Sequence, residues 1–188
     1  TPLCPARCDG WTLQGGCEWR PSGGRIGGAI AFNGRDACVV IPRPVQDDLT
    51  IAFWMKTTQA WVGNQWYEGA GLVDGECHGT GSDFGTALVQ GRFAFGCGGR
   101  YDKTVASTRP VNDGAWRHAA ATRIRSSGMV RVFVDGAPAG SGTCDTPSFT
   151  GPTRMTIGCI QTGISYYDGL IDDVRIYSRA LSTSEVGA

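Results

Sequence analysis

The chain has 188 residues, with 17 basic side chains against 17 acidic ones, and only 18% of it is charged. That balance supplies no basic field for nucleic acid or for an anionic membrane surface. The apolar runs are too short to cross a bilayer, so no membrane insertion is expected, and the length suits one domain with a sizeable core.

Eight cysteines, Cys4, Cys8, Cys17, Cys38, Cys77, Cys97, Cys144 and Cys159, are spread along the sequence. A zinc site would call for Cys-x-x-Cys pairs or interleaved histidines. The closest spacing is Cys4-x-x-x-Cys8, and no histidine precedes His78. Disulfides in an oxidising compartment, and hence an extracellular protein, are the expectation. The opening TPLCPARC lacks the charged and apolar regions of a secretion signal, so any such signal is expected to have been removed already. Spacing leaves the pairing open. The expected bridges are Cys144 with Cys159, Cys77 with Cys97, and Cys4, Cys8, Cys17 and Cys38 among themselves.

Residues 1–27 mix Cys, Gly, Pro and Trp without periodicity and read as a cysteine-tethered arm in front of a domain over 28–188. Gly23-Gly24-Arg25-Ile26-Gly27-Gly28 lacks the preceding strand and following helix of a phosphate loop and is read as a turn. Ala29 to Phe32 and Cys38 to Ile41 predict two short strands around an Asn33-Gly34 turn. Leu49 to Lys56 is apolar on both faces as far as Trp54, the pattern of a central strand covered on each side, which assigns Trp54 to the core. Strands follow at 70–73, 84–89 and 92–95, the last two joined across Gln90-Gly91, then at 104–108, 116–124 and 129–134. Asn112-Asp113-Gly114 and Asp135-Gly136 supply turns. The series ends with 154–160 and 170–177. His118 shares a face with Trp116, Ala120, Thr122 and Ile124 and reads as a core histidine. Ser182 precedes Glu185 by three residues, the spacing of a capping box on a short terminal helix. A dozen short strands separated by turn signals predict an all-β antiparallel sandwich or barrel.

Five stretches in order carry a resemblance: Ala29-Ile30-Ala31-Phe32-Asn33-Gly34, Leu49 to Lys56, Val111 to Ala120, Val132-Phe133-Val134-Asp135-Gly136, and Gly169 to Tyr177. On these the chain resembles the laminin-G-like, concanavalin A-like lectin/glucanase jelly rolls. The resemblance implies an antiparallel two-sheet jelly-roll sandwich with a concave face open to ligands and a calcium ion near the rim. It implies no reaction, because such modules bind carbohydrate, serve adhesion or accompany secreted enzymes. Arg117 stands where many relatives carry a first histidine, and the N-terminal arm lies outside the pattern.

The stretch richest in chemistry is Trp61 to Gly85. Exposed aromatic faces stack on pyranose rings while nearby polar groups bind hydroxyls, so Trp61, Trp66, Tyr67, Tyr101, Tyr166 and Tyr167, with Glu76 and His78, are the candidate ligand-binding residues. Asp74 and Asp83, and separately Asp172 and Asp173, are candidate ligands for calcium, a cation that takes carboxylate and backbone oxygens from loops. Asp74 and Glu76 at i, i+2 point to one strand face. Laminarinase-like glucanases, however, carry three acids there as Glu-x-Asp-x-Glu, and Leu72 occupies the first position here. Asp83-Phe84-Gly85 spells a kinase motif without the catalytic loop that would give it meaning. The reading is a secreted, calcium-assisted module that binds a glycan or polysaccharide and belongs to a larger secreted protein. An adhesion domain, or a polysaccharide-cleaving enzyme, is the alternative.

Overall fold

A computed structural model describes residues 12–60, 63–79 and 81–187. The strands are β1 (Thr12–Gln14), β2 (Glu18–Arg20), β3 (Ala29–Asn33), β4 (Cys38–Pro42), β5 (Leu49–Lys56), β6 (Ala70–Asp74) and β7 (Phe84–Val89), followed by β8 (Arg92–Cys97), β9 (Lys103–Ala106), β10 (Arg117–Ile124), β11 (Met129–Val134), β12 (Ala137–Thr143), β13 (Arg154–Ile157) and β14 (Asp168–Tyr177). One sheet runs β1-β4-β13-β6-β7-β8-β9 and the other β12-β11-β10-β5-β14-β3-β2. Each pairing is antiparallel, as the alternation of apolar and polar positions anticipates. Their inner faces meet over Leu49, Ile51, Phe53 and Met55 of β5, Phe84 and Leu88 of β7, Phe93 and Phe95 of β8, and Ala119 and Ala121 of β10.

The strand read as central does lie in the middle of its sheet, with β10 on one side and β14 on the other. Its outward face differs from expectation. Trp54 is only half-buried and pairs in register with His118, which is also half-buried and faces outward beside it. Both readings as core side chains are therefore corrected. Sheet alternation sends Ile51, Phe53 and Met55 inward and leaves Ala52 and Trp54 outside.

The Asn33-Gly34 turn joins no hairpin, because β3 and β4 belong to different sheets. Asn33 Oδ1 accepts hydrogen bonds from the backbone N–H groups of Arg35, Asp36 and Ala37 at 3.0–3.2 Å, and this carries the chain from one sheet to the other. The described part of the N-terminal arm forms strands: β1 pairs with β4 and β2 with β3, adding an edge strand to each sheet. Strand β12 was not foreseen, since Ala137-Pro138-Ala139-Gly140-Ser141-Gly142-Thr143 has the composition of a loop. Its Gly140 lies against Ala106 of β9, where a Cβ would stand 2.5 Å from the carbonyl oxygen, so the two sheet edges approach closely only because the side chain is missing.

The disulfides correct the expected pairing. They are Cys38–Cys159 and Cys97–Cys144, with Cα separations of 5.6 and 6.2 Å. Cys38 and Cys159 lie on or just beyond adjacent strands of one sheet, β4 and β13, whereas Cys97 and Cys144 tie the end of β8 to the chain after β12 of the other sheet. Cys17 and Cys77 carry free thiols, and Cys4 and Cys8 lie outside the described residues. Among the described residues no helix is long and apolar enough to cross a membrane.

Arg123, the last inward-facing residue of β10, has no exposed surface. Its guanidinium donates to the carbonyls of Asp47 (3.0 Å), Asp145 (2.8 Å) and Pro147 (2.8 Å) and lies 3.8 Å from the centre of the Phe149 ring. One side chain thus ties two long loops to the end of the core. Arg123→Met should lower stability by about 3 kcal/mol, read as the shift in urea midpoint at unchanged slope, because three loop carbonyls lose the donor that a buried guanidinium supplies.

The chain ends in α1 (Thr183–Val186), where Ser182 and Glu185 exchange the hydrogen bonds of the expected capping box. Pairing with Arg179 and the Ser182 bonds holds the Glu185 carboxyl down at about 2. A carboxylate whose folded-state pKa is depressed contributes stability above its unfolded pKa and loses it as pH falls through the folded value. The helix should therefore fray between pH 4.5 and 2 in wild type, followed by the amide resonances of Val186 and Gly187, and Glu185→Gln should remove that pH dependence.

Candidate functional site

The site begins with two glycines. On β7 and β8, alternation turns Phe84, Leu88, Phe93 and Phe95 inward and leaves Gly85, Ala87, Ala94 and Gly96 on the outer face. Segment Gly63 to Gly69 crosses that face, so the sheet surface expected to stand open is covered here by the chain's own turn. Trp66 opens a single 3-10 turn over Trp66–Glu68 and is 1% exposed. A Cβ on Gly96 would lie 1.7 Å from its Cγ, and one on Gly85 would lie 2.9 Å from its Cζ3. The indole is seated in a slot that only glycine leaves free. Trp66 N–H donates to Thr104 Oγ1 (3.0 Å), whose hydroxyl donates to Gln65 Oε1 (2.8 Å), fastening the turn to β9. Glu68 Oε2 accepts from the N–H groups of Asn64 and Gln65.

Beyond this turn a cleft of about 640 Å³ opens at the rim, between the turn, loop 76–83 and loop 99–102. Its walls include Tyr67, Glu76, His78, Asp83 and Tyr101, five residues the sequence had singled out, with Trp66 as floor. Tyr67 packs edge-on against Trp66 at 6.0 Å between ring centres. Burial, then the Asp102 and Glu68 carboxylates, push its hydroxyl above the ordinary tyrosine value. Tyr101 is 71% exposed, with the Arg100 guanidinium 5.6 Å from its ring centre. Its loop is held on both sides: the Cys97–Cys144 bridge ends β8, and Asp145 accepts from Arg100 N–H (2.9 Å) and Lys103 Nζ (2.7 Å).

Behind the cleft stand the acids. Asp74 has no exposed surface, and its Oδ1 accepts from the N–H groups of Glu76 (2.9 Å) and Gln161 (2.8 Å). Asp83 is 3% exposed and its Oδ2 accepts from Cys77 N–H (2.8 Å). The remaining oxygens Asp74 Oδ2, Glu76 Oε2 and Asp83 Oδ1 are buried with no hydrogen-bond partner among the described residues. Burial first, with Glu76 and Asp83 adding like charge, pushes the Asp74 carboxyl up to about 8, and burial pushes that of Asp83 up to about 6. Burial thus disfavours the charged forms of Asp74 and Asp83, a cost that a proton or a nearby positive charge offsets. Among the described residues no three His, Cys, Asp or Glu side chains converge closely enough to form a metal centre by themselves. Asp74 reaches no solvent, so Asp74 and Glu76 cannot flank a glycosidic bond as a catalytic pair.

The other candidates disperse. Trp66, expected to offer a stacking face, is covered, and so is Tyr167, whose ring lies in the core against Phe32. Tyr166 is half-buried on the 158–167 segment, away from the cleft, with its hydroxyl on the Gly163 carbonyl (3.0 Å). Asp172 accepts from Ile26 N–H (2.8 Å), and Asp173 is ion-paired with Arg175 (2.9 Å), so these two acids are held by separate partners. Trp61 lies outside the described residues. Gln65, Cys77 and Arg100 also line the cleft and had not been singled out. Only the position of Arg100, beside Tyr101 in a Gly-rich hairpin end, offered a signal.

Two seven-stranded antiparallel sheets, a capped terminal helix and an aromatic, acidic rim cleft define a jelly-roll module of the lectin type. The chain belongs to the concanavalin A-like lectin/glucanases superfamily, whose laminin G-type family model matches residues 33–187. Among curated proteins none matches the sequence. Among solved structures, domain 4 of AbnA, an extracellular arabinanase from Geobacillus stearothermophilus in complex with arabinotriose, is 21% identical with a TM-score of 0.74, over 94% of this chain and 86% of that one. The binding domain of botulinum neurotoxin DC in complex with SialylT is 11% identical with a TM-score of 0.71, over 94% of this chain but 44% of that one. A heptameric SAP-like pentraxin from Limulus polyphemus is 15% identical with a TM-score of 0.64, over 85% and 79%. At these identities the likeness is one of fold.

The seat of Trp66 is testable. Gly96→Ala places a methyl group inside the indole and should cost about 3 kcal/mol or more, with a red-shifted tryptophan emission as the ring is expelled. Ala94→Gly on the same face would serve as the control, with a loss of about 1 kcal/mol.

Proposed function

We propose that the chain is a secreted, non-catalytic carbohydrate-binding module whose ligand occupies the rim cleft. The observation that carries this reading is the exposed Tyr101 ring, fixed by a disulfide and by Asp145, in one cleft with Tyr67 and the buried Trp66. Such a face stacks on the C–H side of a sugar ring, and Glu76, His78 and Arg100 are placed to bind hydroxyls. The arabinotriose and SialylT complexes of the structural neighbours support a glycan as ligand, and the two disulfides support an oxidising, extracellular setting. An adhesion surface would need a contiguous apolar patch, whereas among the described residues the exposed large apolar side chains Leu13, Ile26, Tyr101, Ile124 and Ile164 sit on separate strands and loops.

Calcium is the finer part of the proposal. A cation at this corner would use unpartnered oxygens of Asp74 or Asp83 and draw the rest of its shell from backbone carbonyls and water, and its charge would favour the ionised forms of both. Its part is to stiffen loop 76–83 beneath the sugar.

On an array of neutral and sialylated glycans, wild type should retain at least one ligand, and Tyr101→Ala should weaken it at least tenfold, about 1.4 kcal/mol, with an unchanged melting temperature. Absence of binding to every glycan, with calcium and with chelator alike, would falsify the reading. Separately, saturating calcium should raise the melting temperature of wild type and not that of Asp74→Asn, since a ligand at a hundred times its Kd adds about 2.7 kcal/mol. An equal response in both proteins would remove calcium from this site while leaving glycan binding to the array.

A further inference from the structure

On the opposite side of the molecule, the outer face of the β5 sheet holds a second cleft that the rim site does not use. The terminal segment covers part of this face. Leu181 N–H donates to Thr50 Oγ1 (2.9 Å), and Leu181 and Val186 pack on Ala52, Ala120 and Phe133. The next pair in register, Trp54 and His118, is left uncovered and lies at the bottom of a cleft of about 380 Å³. The two rings stand 5.3 Å apart between centres and are tilted by 56°. From the far side, loop 23–28 overhangs them, anchored by Ile26 N–H on Asp172 Oδ2 (2.8 Å), and places the Arg25 guanidinium 4.9 Å from the Trp54 ring centre.

We infer that this cleft is a second carbohydrate subsite, built for one neutral sugar unit lying on Trp54, with the His118 imidazole and Arg25 as hydrogen-bonding partners. The charges decide the class of ligand. Asp135 accepts from His118 N–H (3.0 Å) and is paired with Arg109 (3.2 Å) and Arg117 (3.0 Å). Asp173 is paired with Arg175 (2.9 Å) and Glu185 with Arg179 (2.7 Å). Every carboxylate at the cleft already has its cation, so no free negative charge is left there to select a cationic ligand. What the cleft offers is an indole face, an imidazole whose ring nitrogens make no hydrogen bond among the described residues, and a guanidinium that makes neither a hydrogen bond nor an ion pair among them. An aromatic face with donors at its border is the requirement for a pyranose or furanose ring. The volume suits one such unit, at the lower end of ordinary ligand pockets. Two subsites on opposite faces would let one module bridge two chains of a polysaccharide. Occupying both raises avidity without any new contact.

The subsite stands independently of the rim cleft, and the test keeps them apart. Neutral trisaccharides of xylose, glucose and galactose would be titrated into isotope-labelled Tyr101→Ala protein, with the Trp54 indole N–H and the His118 imidazole C–H as NMR probes. Saturable shifts of both probes are expected with at least one sugar, at an affinity within about twofold of wild type. Arg25→Ala changes an exposed side chain whose contact is with the Trp54 ring and should weaken these shifts about tenfold, as should Trp54→Ala where it folds, with Trp54→Phe retaining most of the affinity. Probes that stay unmoved by all three sugars, or shifts that persist unchanged in Arg25→Ala, would overturn the subsite whatever happens at the rim.

Discussion

The seat of Trp66 is the constraint on which the rim architecture depends. A large ring can lie flat on an outer sheet face only where the sheet has no side chains, and Gly85 and Gly96, paired with each other across β7 and β8, make that space. The indole then becomes the inner wall on which Tyr67 leans, and it buries the end of β6 where Asp74 stands. Removing water from this corner is what makes the acids expensive. Asp74 shares the Gly85 slot, its Oδ2 lying 2.0 Å from where a Cβ would be. A residue larger than glycine at 85 would therefore displace the carboxylate and the ring together.

The outer face of the other sheet is governed by a different rule. There the chain supplies its own cover, and the cover is one row short. Leu181 and Val186 satisfy the apolar demand of Ala52, Ala120 and Phe133, while Trp54 and His118, one register pair further along, receive only the overhang of Arg25. The four-residue helix, held by its capping box and the Arg179 ion pair, stops where the cleft begins. Association of the terminal segment with the sheet and the shape of the cleft are thus one structural fact.

Much of the fold was legible because it rests on local chemistry. The two-faced apolar run of Leu49 to Lys56, the Gln90-Gly91 and Asp135-Gly136 turns, in which all four residues adopt positive φ, and the Ser182 to Glu185 box each act over a few residues. What escaped depended on contacts distant in sequence. The cysteines pair across 121 and 47 residues, β12 is a strand because a β-rich partner and a close β9 edge accept its glycines, and Asn33-Gly34 changes sheets although its residues spell a hairpin. At the site, Tyr67, Glu76, His78, Asp83 and Tyr101 were found because loop aromatics and acids are conspicuous. Trp66 was misjudged for the same reason: its loop position suggested exposure, and the two glycines that bury it lie 19 and 30 residues downstream.

The buried acids connect fold and function most directly. A fully buried Asp74, with one oxygen receiving two backbone N–H groups and the other unpartnered, is neither a well-satisfied carboxylate nor a tolerable bare charge. A proton on Asp74 removes one charge from the corner, while the adjoining loop is tied down by the Glu76 and Cys77 N–H bonds and by the Gly151 N–H on the Ser82 carbonyl. Whatever orders the segment that carries His78 would lower the ordering cost of a ligand in the cleft beside it, so the state of the buried acids bears on the proposed site. In the Trp54 cleft each carboxylate is instead paired with an arginine, so the two faces of the module differ in that only the rim corner buries carboxyl oxygens without a partner among the described residues.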